Sequence, residues 1–182
     1  MSFTREAIKD YLKNTAPECV QGLRLESVEP PEPGTDLFHT AWQVGCTCGA
    51  TEGQLLCYLD GVDGVPTVSV GPLGFSCPTC GRVVEMLDTE VNGYHNYEMR
   101  SEVRDFAPAK PGGIGPRTFF PCPHCGAVKF VVTVAFFYWS AAFDFFLDEP
   151  TVPFENYFNE FQAYAKCVKC RTTTAVTRFG DL

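Results

Sequence analysis

Four cysteine pairs constrain this chain more than any other feature. They are Cys46/Cys48 in GCTCG, Cys77/Cys80 in SCPTCG, Cys122/Cys125 in PCPHCG and Cys167/Cys170, which Arg171 follows. A C-x-x-C turn aims two sulfurs at one ion, and zinc takes four ligands tetrahedrally with thiolate as a preferred donor. Glycine after a pair lets the backbone close with positive φ. Pro78 and Pro123 stiffen the turns they sit in. Taken in chain order, the pairs predict one zinc on Cys46, Cys48, Cys77 and Cys80 and a second on Cys122, Cys125, Cys167 and Cys170. The connections between pairs are 28 and 41 residues long, so each must carry secondary structure. Interleaved pairing, first pair with last, stays open as an alternative if the two segments swap elements. The first pair is also less regular, because C-x-C is tighter than C-x-x-C.

Both zincs read as structural. Four thiolates leave no coordination position for water, which catalytic zinc needs. A zinc deaminase would require H-x-E or C-x-E ahead of P-C-x-x-C. Neither PCPHC at 121–125 nor SCPTC at 76–80 has that partner, and Glu52 stands at the wrong spacing after Cys48. A redox pair usually stands alone before a helix. Here every pair has a mate, and strand-like stretches surround them. An iron–sulfur cluster is the remaining four-cysteine rival.

Composition bounds the rest. The 182 residues are 45% hydrophobic and 20% charged, which excludes wholesale disorder. Net charge is −8, which argues against a general nucleic-acid or anionic-membrane binder. The acidity sits in residues 1–105, with 7 basic and 16 acidic side chains; residues 106–182 carry 7 and 6. The opening MSFTREAIKDYLKN has recurring charges and no apolar run, which predicts no secretory signal. Ten cysteines then point to a reducing cytoplasm. The apolar stretch 130–147 approaches a membrane span in length, but Thr133, Ser140 and Asp144 interrupt it and its residues favour strands.

The chain divides into an N-terminal helix and Pro-rich loop (1–37), a first cysteine segment (38–106), a Pro/Gly-rich linker (107–116) and a second cysteine segment (117–182). The two segments read as a diverged internal repeat: pair, apolar stretch, pair, strand. A helix is expected over 4–14, capped by Thr4, with Ala7, Ile8, Tyr11 and Leu12 on one face. Strands are expected at 39–45, 54–59, 66–70, 82–88, 117–121, 127–139, 142–147 and 171–179. Phe154, Tyr157, Phe158, Phe161, Tyr164 and Ala165 follow three-and-four spacing, which predicts a helix near 153–166. The fold class is therefore β-rich α+β, with two tandem zinc-ribbon-like subdomains packed as one unit.

Few other residues suggest chemistry. Cys19 and Cys57 read as free thiols, His39 opens a strand and His124 points out of its knuckle. Asp88, Tyr94 and His95 flank the Asn92-Gly93 turn signal and form a candidate ligand pocket. Lys166, Lys169, Arg171 and Arg178 make a small basic cluster.

The C-x-C-G beside Trp42, followed by VGPLGFSCPTCGRVVEMLDTEVNGY at 70–94, resembles a group of uncharacterised bacterial zinc-ribbon-like proteins. Asp88 and Gly93-Tyr94 carry part of the match, which spans roughly residues 40–95 and hence the first ribbon. The resemblance implies zinc and a bacterial cytosol; it implies no activity. Zinc ribbons in general are similar to scaffolds for protein or nucleic-acid contacts. The expectation is a non-enzymatic, zinc-stabilised binding protein, adaptor-like or immunity-like, with a protein partner that is basic. A nucleic-acid-binding ribbon is the alternative, and an enzyme with its site around Asp88, Tyr94 and His95 is the third.

Overall fold

A computed structural model of the chain describes residues 4–29, 37–62, 65–68, 71–89, 91–93, 116–148 and 153–179. The N-terminal helix α1 spans Arg5–Asn14. The Thr4 side chain accepts the Ala7 N–H at 3.2 Å, satisfying one orphan donor of the first turn. Ile8 and Leu12, four residues apart, are buried. Tyr11 stays at the surface and donates its hydroxyl to Glu155 Oε2 at 2.7 Å.

Eleven strands follow among the described residues: β1 (Arg24–Val28), β2 (Phe38–Gly45), β3 (Gln54–Cys57), β4 (Asp60–Val62), β5 (Val65–Thr67), β6 (Leu73–Ser76), β7 (Val83–Leu87), β8 (Thr118–Phe119), β9 (Phe130–Tyr138), β10 (Glu160–Cys167) and β11 (Thr173–Phe179). A second helix, α2, spans Ser140–Asp148. The strands form a five-stranded sheet in the order β1-β2-β9-β10-β11, a four-stranded sheet in the order β7-β6-β3-β8, and the hairpin β4-β5. Every pairing is antiparallel. The protein is thus β-rich α+β. One continuous core joins the sheets, with Trp42, Val132 and Phe161 from the larger and Leu55, Leu73 and Phe75 from the smaller.

Each sheet draws on both cysteine segments. β2 leads into the first cysteine pair yet lies beside β9, and β8 leads into the third pair yet lies beside β3. The registers agree when counted from the cysteines. Val44 faces Val132 and Trp42 faces Val134, while Phe120 donates its N–H to Leu55 O at 2.8 Å and Thr118 faces Cys57. Leu55 and Val132 are each seventh after the second cysteine of their pair. Gly53 and Phe130, each fifth, meet and exchange two backbone hydrogen bonds of 2.9 and 2.8 Å. Their predecessors Glu52 and Lys129 form an ion pair at 2.6 Å.

Packing at this junction is complementary. A Cβ on Gly53 would lie 2.2 Å from the Phe75 ring, so that ring occupies the space a side chain would need. In the other half the large residue is Phe130, and the position matching Phe75 is Ala165. Both Phe75 and Phe130 are fully buried.

Two expected elements are corrected. Residues 142–147 are not a strand but lie within α2. Ala142 and Phe143 are buried, and Asp144 at the surface pairs with Arg5 at 2.5 Å. Strong strand propensity in the aromatic residues yields here to tertiary packing, with Phe143 against Phe154 and Phe38. The helix near 153–166 is likewise absent. Phe154–Asn156 form one 3-10 turn, and Glu160–Cys167 form β10. Extension is required because β9 leads away from the third cysteine pair for nine residues at ~3.3 Å each. A helix rising ~1.5 Å per residue would not bring Cys167 back. Residues 160–165 are all buried, so the period-two polarity of a strand is hidden. β1, β4 and β6 carry no strong alternating pattern and fall outside the expected strands. Apart from Pro116, the linker 107–116 lies outside the described residues.

The Gly53 junction yields a prediction. Gly53→Phe alone should destabilise by more than ~3 kcal/mol, the upper range of core overpacking. Adding Phe75→Ala, which reproduces the Phe130/Ala165 arrangement, should recover over half of that loss in chemical denaturation. Failure of the second change to recover stability would show that the two halves do not pack equivalently.

Candidate metal centres

Both cysteine sets assemble in chain order, so the interleaved alternative is not what the structure has. The four sulfurs of Cys46, Cys48, Cys77 and Cys80 lie within 4.8 Å of one another, as do those of Cys122, Cys125, Cys167 and Cys170. In the first set, Cys46–Cys80 and Cys48–Cys77 are 3.5 and 3.6 Å apart. In the second, Cys122–Cys170 and Cys125–Cys167 are both 3.6 Å apart. A disulfide would bring sulfurs to ~2.05 Å. Tetrahedral thiolate ligation with bonds of ~2.3 Å separates them by about 3.8 Å. The donor sets therefore fit a metal ion each.

Local hydrogen bonds build each knuckle. Cys46 N–H donates to Ala50 O at 2.8 Å and Cys77 N–H to Arg82 O at 2.8 Å. Cys122 N–H donates to Ala127 O at 2.7 Å and Cys167 N–H to Thr172 O at 2.9 Å. Each turn needs a left-handed residue. Gly49, Gly81 and Gly126 supply it with φ of 100°, 75° and 70°, and at the fourth Arg171 adopts 65° despite its Cβ.

Within each set the thiols ionise unequally: the Ala50 and Ala127 N–H groups are outweighed by sulfur–sulfur hydrogen bonds and burial, and Cys48 and Cys125 rise to about 11. Burial opposes ionisation of Cys77, but the N–H groups of Cys80 and Thr79 and the thiols of Cys48 and Cys46 outweigh it and bring it down to about 6. The N–H and hydroxyl of Thr172 lower Cys170 to about 6. Each set so contains one sulfur predisposed to the deprotonated form that binds metal.

The remaining cysteines are different. Cys57 is fully buried and donates to Thr118 O at 3.8 Å; burial pushes its thiol up to about 11. Burial likewise pushes Cys19 up to about 12. Neither has the electropositive, accessible setting of a nucleophile. His39 contacts Leu37 O through Nδ1 at 3.2 Å and packs on Phe137, and His124 is exposed on its knuckle. Glu52 is engaged by Lys129.

Of the candidate ligand pocket, Asp88 is described and Tyr94 and His95 lie outside the described residues. Asn92 closes the turn on Asp88: its Oδ1 accepts the Asp88 N–H at 2.8 Å, and its own N–H reaches Asp88 O at 2.8 Å. Lys166, Lys169 and Arg171 surround the fourth knuckle and are exposed. Arg178 stands opposite Gln162, toward the other end of β11, so its backbone is separated from those three.

Arg117 was not expected to matter. Its guanidinium forks onto both Glu85 oxygens at 2.7 Å and donates to Leu56 O at 3.0 Å, tying β8 across the small sheet. Nothing in its sequence context announces this role. Among the described residues, no helix is long and apolar enough to cross a membrane. Compared with protein-family models, curated proteins and solved structures, the chain gives no match.

Two outcomes are expected. Removing metal from both centres with a strong chelator should abolish cooperative thermal unfolding. Structural sites contribute ~10–16 kcal/mol in small metal-folded domains, against ~5–15 kcal/mol of typical net stability. At high salt, where the lost charge is screened, Arg171→Gly should stabilise the protein by about 1 kcal/mol in denaturant titration, by removing the left-handed penalty of a side chain.

Proposed function

We propose that both centres hold zinc and that the chain is a zinc-stabilised, non-enzymatic binding protein whose partner is another protein. The observation that carries this reading is closure. Each set supplies four sulfurs within 4.8 Å of one another, so a tetrahedral zinc would be saturated and leave no position for water or substrate. Such an ion can hold the fold that presents a surface. In this reading the partner is basic, since residues 1–105 carry 16 acidic against 7 basic side chains. An adaptor or immunity-like role in a bacterial cytosol fits, and the resemblance of residues 70–94 supports that setting. The matching registers around Gly53 and Phe130 support reading the two cysteine segments as diverged copies of one unit.

A second reading has its own observation. Lys166, Lys169 and Arg171 are exposed around the fourth knuckle, and none joins an ion pair among the described residues. That rim favours a polyanion such as nucleic acid.

Affinity capture on zinc-loaded full-length protein, with and without nuclease, separates the two. A stoichiometric basic protein that survives nuclease supports the first. Retention that disappears with nuclease and falls steeply with salt supports the second.

A further inference from the structure

We propose that the two centres have different jobs: the first is a metal-exchange site, which gives up zinc to incoming thiolate or chelating donors, and the second holds its zinc permanently. This rests on the zinc reading above. The exchange itself is a ligand substitution. A zinc–sulfur bond breaks, a bond from zinc to the incoming donor forms, and the released cysteine keeps its electron pair or takes a proton from water. No oxidant is involved.

Access differs first. Cys46 and Cys77 are buried, at 2% and 1% exposure, but Cys48 and Cys80 are exposed. In the second centre Cys122 and Cys167 are equally buried, while Cys125 and Cys170 are only partly accessible. An incoming donor therefore meets two exposed cysteines at the first centre and none as exposed at the second.

The second centre is also stitched shut. Val168 donates its N–H to Lys129 O at 3.1 Å, joining the two knuckles that would share the ion. The matching position in the first centre is Pro78, which has no N–H to offer the corresponding carbonyl of Glu52. The strands differ in the same sense. β9 and β10 run nine and eight residues through the middle of the large sheet, whereas β3 and β6 have four each. Opening the first centre thus disturbs far less of the fold.

Charge points the same way. Zinc with four thiolates carries −2, and nearby cations stabilise it. Lys166, Lys169 and Arg171 adjoin the ligands of the second centre. Beside the first stands one such cation, Arg82, which donates to Thr47 Oγ1 at 2.8 Å, and there Glu52 pairs with Lys129, so among the described residues the balance is one free cation against three.

The test starts from full-length protein whose metal content has been measured. Fewer than two zincs per fully loaded chain would overturn the zinc reading, and this proposal with it. Zinc release into excess 4-(2-pyridylazo)resorcinol is then followed by absorbance. The expected course is two phases of one zinc each, with rates separated by roughly tenfold or more, as for local against global opening. Alkylation with N-ethylmaleimide between the phases should label Cys46, Cys48, Cys77 and Cys80 and spare the second set. Val168→Pro, which copies Pro78, should accelerate the slow phase. If that variant does not fold, Lys169→Glu should do the same through charge. Release of both zincs in one phase, or alkylation of the second set first, would overturn the proposal even with two zincs bound.

Discussion

Closing each tetracysteine set from two remote stretches of chain is the constraint on which the rest of the structure depends. Two sulfurs on a turn cannot fill a tetrahedral ion, so the chain must leave and come back. In the second half it leaves along β9 and returns along β10, whose last residue, Cys167, faces Phe130 at the start of β9. Antiparallel pairing is then the only economical path, because it brings the end of one strand beside the beginning of the other. Between them, α2 and the 3-10 turn at Phe154–Asn156 lie toward the far end of the sheet. There Tyr138 donates to Glu155 O at 2.9 Å and Asn159 Oδ1 accepts the Trp139 N–H at 2.9 Å, which fastens the crossing.

A hairpin closed at its cysteines still has exposed edges, and the exchange of β2 and β8 removes the most dangerous ones. Without it, β9 and β3 would each present unpaired N–H and C=O groups. β2 covers the first along seven paired residues, from Phe38 to Val44. β8 covers the second only at Thr118 and Phe119, and the Arg117 fork extends that hold to Glu85 on the opposite edge strand. Gly74 beneath it is a requirement of the same contact, since a Cβ there would sit 2.7 Å from the Arg117 guanidinium. The short strand and the long-armed cation therefore act together.

The cysteine sets were legible because their chemistry is local: two donors, a turn and a left-handed residue within five positions. Of the strands that flank them, β2, β3, β7, β8, β9 and β11 were legible as apolar runs with fixed ends, whereas β6 and β10 were not. Strand exchange was not, because residue periodicity says which face a strand buries and not which strand lies beside it. The aromatic tract 142–165 misled in both directions. Phe143 is a strand-favouring residue yet packs from a helix, while Phe161 and Tyr164 keep helical spacing within β10. The cause is burial on both faces: Phe161 and Ala163 face one core, and Tyr164 packs with Ala41, Ala135 and Phe137 on the other side. β1, with its Arg-Leu-Glu-Ser-Val, was too polar to be seen, since only its pairing with β2 makes it a strand.

The two halves differ least where they pack and most where they would meet solvent at the metal tips. In the core, Gly53 with Phe75 and Phe130 with Ala165 place one large ring and one small residue at matching positions, so volume is conserved across the change. At the tips nothing compensates. Pro78 stands where Val168 donates a hydrogen bond, Gly81 where Arg171 accepts a left-handed backbone, and a C-x-C turn where the other half has C-x-x-C. Core positions are bound by density, so a change on one strand demands a reply on the next. Tip positions carry no such obligation, and the two ends differ: Cys48 and Cys80 are exposed with Arg82 beside them, whereas Cys125 and Cys170 are half-buried with Lys166, Lys169 and Arg171 nearby.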